Sequence, residues 1–191
     1  AIATENHQVR LIEVLTGRET VAASFPGGIT SVCFSPDGKH LVASCAHRTS
    51  KLIETKTGRQ IHVFESEENV TSAKFSPDGS QLILALGDSD ADRSAIVLVP
   101  ATVEKMRDVA MSHQVTHVDL SPDGGLIIAG DFTGISSIID SKSGADTISA
   151  GISGDVETAS FSNDHCFIAI GTKDGFLTIV DLRTDAELKV K

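Results

Sequence analysis

Residues 31–44 read SVCFSPDGKHLVAS, two short apolar runs around Ser-Pro-Asp-Gly. Proline presets the backbone angle at the second position of a turn. Serine hydrogen-bonds locally at the first position, and glycine relieves sterics at the last. The stretch predicts two antiparallel strands joined by a tight turn. It also recurs. SPDG stands at residues 35–38, 76–79 and 121–124 and a degraded copy, SNDH, at 162–165, giving spacings of 41, 45 and 41 residues. A second marker keeps the same beat: TG at 16–17 and 57–58, SG at 143–144 and TD at 184–185. A period in the forties points to a propeller or to a helical repeat.

The apolar runs choose between them. ITSVCF, HLVAS, QLILAL, LIIAG, CFIAIG and FLTIVDL are short, rich in Val, Ile and Phe, and mostly bounded by Gly, Pro, Asp or Ser. They read as strands, not as helices of about ten or more residues. One unit then has strand a at 30–34, b at 40–45, c at 51–55 and d at 60–64. Four short strands per unit predict an all-β fold, a β-propeller of four-stranded antiparallel blades. A single blade cannot bury both of its faces; stacking against neighbours does. Phe34, Phe75 and Phe161 precede the hairpin turns at one repeated position and are expected in the core.

The segments VTSAKFSPDGSQLILAL and CFIAIGTKDGFLTIVDLRTD resemble WD-repeat units. In that family a blade runs from a Gly-His pair, through a strand and SPDG, to a Trp-Asp pair. The chain has no Trp, and the Trp-Asp slot holds Ile12-Glu13, Ile53-Glu54, Ile139-Asp140 and Val180-Asp181. The Gly-His slot survives only as Ser112-His113, and the loop aspartate as Asp131 and Asp174. The family's His–Ser/Thr–Asp–Trp network cannot form in full. The resemblance therefore implies a divergent propeller held mainly by apolar packing, and a protein-interaction platform rather than an enzyme.

In this register AIATENHQVRLIEVLTG aligns with residues 42–58, so Ala1 falls inside a strand b. The blades are expected at 1–28 (incomplete), 29–68, 70–113, 115–154 and 156–191, about four and a half in one domain. Propellers have about four to eight blades in a closed ring. The expectation is a piece of a larger ring; the rival is a short protein whose open edge a partner's strand completes.

Composition bounds the rest. The chain has 191 residues, 40% of them hydrophobic and 22% charged, with net charge −10. That is enough for a real core and too acidic to favour nucleic acid. No apolar run approaches the roughly 20 residues of a membrane helix. Residues 1–11 have neither the basic nor the apolar region of a signal peptide. Cys33, Cys45 and Cys166 lack metal-type spacing and read as reduced, buried thiols of a cytoplasmic protein.

Three features of the sequence bear on chemistry. Asp88-Ser89-Asp90-Ala91-Asp92 begins like a calcium loop, but Arg93 stands where glycine is needed and Val99 where glutamate is needed. It reads as a solvated loop. His113 and His117 have helical zinc spacing, but on a strand four residues span roughly 13 Å, too far to share one ion. His117 is expected to share a strand face with Val115 and to face the central channel. No nucleophile elbow, phosphate loop or dinucleotide fingerprint is present. No cofactor, metal or catalytic residue is expected.

Function is then a matter of geometry. In an antiparallel blade the b–c and d–a connections emerge at one end, so each blade gives two loops to one face. A rigid support lowers the cost of ordering them on binding. The candidate partner-binding residues are His47, Arg48, Glu67, Glu68, Asp88, Asp90, Asp92, Arg93, His113, Asp131, Phe132, Asp155, Lys173 and Asp174. Phe25 and Phe132 are the aromatic residues near this face. The acidic loops suit a basic protein partner within a larger complex.

Overall fold

The computed structural model describes residues 1–66, 68–87, 93–99, 104–111, 115–131, 135–151 and 155–191, and side chains in these segments except at 93–99, 104–111, 135–136 and 146–151. The first sheet has three strands, β1 (Ile2–Ala3), β2 (Gln8–Ile12) and β3 (Glu19–Ser24). The second has β4 (Ile29–Phe34), β5 (His40–Cys45), β6 (Thr49–Glu54) and β7 (Gln60–Glu65). The third has β8 (Val70–Phe75), β9 (Leu82–Leu86), β10 (Arg93–Val99) and β11 (Glu104–Met111). The fourth has β12 (Val115–Leu120), β13 (Leu126–Asp131), β14 (Ile135–Asp140) and β15 (Asp146–Gly151). The fifth has β16 (Val156–Phe161), β17 (Phe167–Thr172), β18 (Leu177–Asp181) and β19 (Ala186–Val190). Strands pair antiparallel in chain order within each sheet. The fold is all-β, built as propeller blades whose first strands β4, β8, β12 and β16 pack in succession along the inside.

The turns form for the reason their residues give. Ser35 Oγ donates to Asp37 Oδ1 (2.7 Å) and accepts from the His40 amide (2.9 Å), while the Lys39 amide donates to Asp37 Oδ1 (3.0 Å). Ser76 with Asp78 and Ser121 with Asp123 repeat this. So does SNDH, where Ser162 accepts from Phe167 N at 2.9 Å. Gly38, Gly79 and Gly124 take left-handed backbone angles, and in the degraded copy His165 takes the same one (φ 61°). Hydrogen bonding from Ser35 and then from the Lys39 amide pulls the Asp37 carboxyl down to about 2. The same causes lower Asp78, Asp123 and Asp164.

Apolar residues fill each junction between consecutive sheets. Val9, Ala22 and Ala23 meet Leu41, Ala43 and Ile53; Val42 and Leu52 meet Phe75, Leu82 and Leu84. Ile83 and Ala85 meet Val118, Leu120 and Ile127; Ile128 and Ile138 meet Phe161, Ile168 and Ile170. Second strands such as Leu82–Leu86 are therefore buried on both faces. Ile53, Ile139 and Val180, in the slot where the family has Trp, are at most 2% exposed. Each fully buried Leu or Ile contributes about 1.5–3 kcal/mol.

One core expectation fails. Phe75 and Phe161 are buried, but Phe34 is 45% exposed. Phe75 packs near Cys33 and Val42, on the inner two strands of the preceding sheet. Before Phe34 stands the three-stranded sheet, whose β1 spans two residues, so the equivalent cover is lacking.

Candidate functional site

At one end of the stack, the turn from the second to the third strand meets the links that enter and leave its sheet. They are tied by backbone hydrogen bonds that repeat. Ala46 N donates to Gly28 O, Gly87 N to Asn69 O and Lys173 N to Asp155 O, each at 2.9 Å. Returning bonds run from Phe25 N to His7 O (2.8 Å) and from Ser66 N to Arg48 O (2.9 Å). His7, Arg48 and Gly175 hold matching turn positions at φ 60°, 56° and 86°. The conformation suits glycine; His7 and Arg48 are held in it by these bonds. The His47 ring lies against Gly27, where a Cβ would come within 2.1 Å of Nδ1. A side chain at residue 27 would displace the imidazole.

This end displays His47, Arg48, Asp155, Lys173 and Asp174 as exposed side chains. Asp174 accepts from Thr172 Oγ1, which fixes its turn. Glu68 is half-buried; its carbonyl accepts from Ser66 Oγ (2.6 Å), and Oε2 is buried without a hydrogen-bond partner. Arg93 begins β10, and its side chain lies outside the described residues. Glu67, Asp88, Asp90, Asp92, His113 and Phe132 also lie outside the described residues.

Two residues need correction. Asp131 is 1% exposed, as the last residue of β13, and is engaged within the fold. It pairs with Val115 as Thr172 pairs with Val156, so Asp131 matches Thr172 and not Asp174. Phe25, 7% exposed, belongs to the core; Lys51 Nζ lies 4.9 Å from its ring centroid and donates to Ser24 O at 2.6 Å.

The inner strands carry polar links that the sequence reading passed over. Register shifts after Ile29, Val70, Val115 and Val156 set Thr30, Thr71, Thr116 and Glu157 at bulges. A bulge re-aims its side chain. Thr30 Oγ1 donates to Val70 O (2.6 Å), Thr71 to Val115 O (2.8 Å) and Thr116 to Val156 O (2.7 Å). Each hydroxyl thus bonds one inner strand to the next. The signal was the Val/Ile-Thr pair opening three inner strands at the repeat period. One layer along, Lys74 Nζ meets Asp119 Oδ1 at 3.0 Å and Ser160 Oγ donates to Asp119 Oδ2 at 3.1 Å.

His117 lies beside this relay, half-buried, with Nε2 buried and without a hydrogen-bond partner. Burial and then the nearby Lys74 cation push its pKa below 6.5. The bulge at Thr116 breaks the simple alternation that would put His117 on one face with the buried Val115. Among the described residues no group of three or more His, Cys, Asp and Glu side chains could hold a metal ion.

The chain was compared with known proteins. Residues 1–78 match the family model of the anaphase-promoting complex subunit 4 WD40 domain. The match spans the first two sheets and the inner strand and turn of the third. A solved structure of hydrazine synthase from Kuenenia stuttgartiensis is similar in fold, with TM-score 0.84 and 18% identity over 96% of this chain. The chain spans 60% of that structure's length. No curated protein matches.

Proposed function

We propose that this chain, a WD-repeat β-propeller by its repeats, its fold and its family match, is a non-enzymatic scaffold that holds protein partners in a complex. One observation carries the reading: in the second, third and fifth sheets the turn after the second strand is fastened by the same backbone bond to the link that enters the sheet, Ala46–Gly28, Gly87–Asn69 and Lys173–Asp155, and Phe25–His7 and Ser66–Arg48 fasten the links that leave the first and second sheets. Loops held in place before binding lose less entropy when a partner docks. The family match, to a domain of a multi-subunit complex, supports an assembly role. A net charge of −10, with Asp155 and Asp174 exposed at this end, favours a basic protein surface as partner. The three free thiols suit a reducing, cytoplasmic setting.

The test is capture of partners by the chain and by a variant carrying Arg48→Glu, Asp155→Lys and Asp174→Lys. The variant should lose partners that the chain retains at low salt. Equal capture by both would overturn the reading.

A further inference from the structure

Successive hairpin turns stack on one another at the other end of the sheets from the linked loops. The last turn position holds Gly38, Gly79, Gly124 and, in the degraded copy, His165. It lies against the preceding turn. A Cβ at Gly79 would sit 3.5 Å from Pro36 Cδ, and one at Gly124 would sit 3.7 Å from Ser76 Cβ. In the fifth sheet a side chain fills this place: His165 Nδ1 lies 3.6 Å from Asp123 Oδ2 of the preceding turn. Between the fourth and fifth sheets a basic group thus bridges one turn to the next. Between the second and third sheets, where Gly79 stands instead, there is a groove.

The groove has a volume of 390 Å³ and is lined by Asp37, His40, Leu52, Ile61, Asp78 and Gly79 among others. Its walls are of two kinds. Leu52 and Ile61 supply an apolar side, on which Ile61 is still 38% exposed. Asp37 and Asp78 supply two carboxylates. Hydrogen bonds from Ser35 and then the Lys39 amide, and from Ser76 and then the Ser80 amide, hold them below the usual carboxylate range, so both are anionic at neutral pH. Asp78 has no ion pair among the described residues, and Asp37 has Lys39 at 3.4 Å, whose side chain is 76% exposed. So exposed a pair is weak, and Lys39 does not close the site. No group of three or more His, Cys, Asp and Glu among the described residues could hold a metal ion, which leaves an organic cation as the complement of these walls.

We infer that this groove takes an arginine side chain from a basic segment of a partner protein. Its methylenes lie along Leu52 and Ile61, and its guanidinium meets Asp37 and Asp78 where the fifth sheet has an imidazole against Asp123. Long cationic side chains bury their stems on apolar surface and keep the charged head among polar groups. A planar guanidinium has donors enough for two carboxylates at once, which an ammonium serves less well. The net charge of −10 draws such a segment in. The groove lies at the hairpin end, so it is a second surface, separate from the loops at the other end.

The probe is the peptide acetyl-Gly-Arg-Gly-amide, titrated into the 191-residue chain and followed by amide shifts in NMR spectra. Saturable shifts are expected at Lys39, Ile61 and Ser80. The same peptide with citrulline, of like shape but neutral, should bind about tenfold more weakly or worse. Gly79→His copies the turn of the fifth sheet and should abolish binding by filling the groove. Its backbone, at φ 72°, is close to the φ 61° that His165 adopts. Asp78→Asn, at an exposed site, should weaken binding about three- to tenfold, and it decides the matter if Gly79→His does not fold. The variant carrying Arg48→Glu, Asp155→Lys and Asp174→Lys should bind the peptide as the unaltered chain does, which separates failure of this inference from failure of the loop surface. Equal binding of the citrulline peptide would overturn the inference. So would binding unmoved by Asp78→Asn, or no saturable shift at the three amides.

Discussion

Phe75 and Phe34 close the inner strands of neighbouring sheets at the same repeat position, yet they are 8% and 45% exposed. Nothing local separates them; both precede Ser-Pro-Asp-Gly and both end a six-residue strand. The difference lies in what stands before them, a four-stranded sheet for Phe75 and a three-stranded one for Phe34. In a stacked-sheet protein a residue's burial belongs to the junction, and its sequence supplies only the capacity to be buried. The fifth sheet makes the same point from the other side. There Ile168 and Ile170 are buried against the fourth sheet, while Ala169 between them is exposed.

The sharpest way to break this comparison is to truncate both phenylalanines. Phe75→Ala should cost about 3–5 kcal/mol in urea denaturation, and Phe34→Ala less than about 1 kcal/mol. Similar costs would mean that Phe34 is covered in solution. Next in size is the inter-sheet bond: Thr71→Val leaves the Val115 carbonyl without its cross-sheet donor and should cost about 1–2 kcal/mol. Glu157→Thr, at the matching bulge of the fifth sheet, should change stability by no more than about 0.5 kcal/mol, because no further inner strand follows among the described residues. Smaller again is the turn effect. Relieving the left-handed His165 with His165→Gly should add up to about 1 kcal/mol, whereas Gly124→Ala should cost about 1–2 kcal/mol.

The mildest effect is one of pH. His117 has its pKa held below 6.5 in the folded chain, by burial first and Lys74 second. As pH falls through 6.5 the unfolded chain takes up a proton that the folded chain refuses. Stability should therefore decline below that point and level off once the folded-state pKa is passed. Denaturation midpoints at successive pH values should show this slope, and His117→Gln should remove it. A slope of opposite sign would contradict the assignment.

What could be read from the sequence was local. Ser35, Asp37 and Gly38 announce their turn through bonds made within five residues, and the strand that follows, His40–Cys45, begins and ends as its apolar run does. The Ile53 slot carries its burial in its own apolarity. What escaped was set by register or by neighbours. Asp131 looked like a loop aspartate because Asp174 is one; only the pairing of Asp131 with Val115 makes it a strand end. The threonines were visible after Ile29, Val70 and Val115, but a bulge is needed to send the hydroxyl across to the next sheet. Phe25 sits near the exposed loops in sequence and under Lys51 in space.

Residue-resolved amide exchange on the native chain tests most directly whether the loops form one fixed surface. Ala46, Ser66, Gly87 and Lys173, whose N–H groups bind the carbonyls of neighbouring loops, should exchange as slowly as amides of the central strands. Exchange at those four positions as fast as in an unstructured peptide would contradict the account.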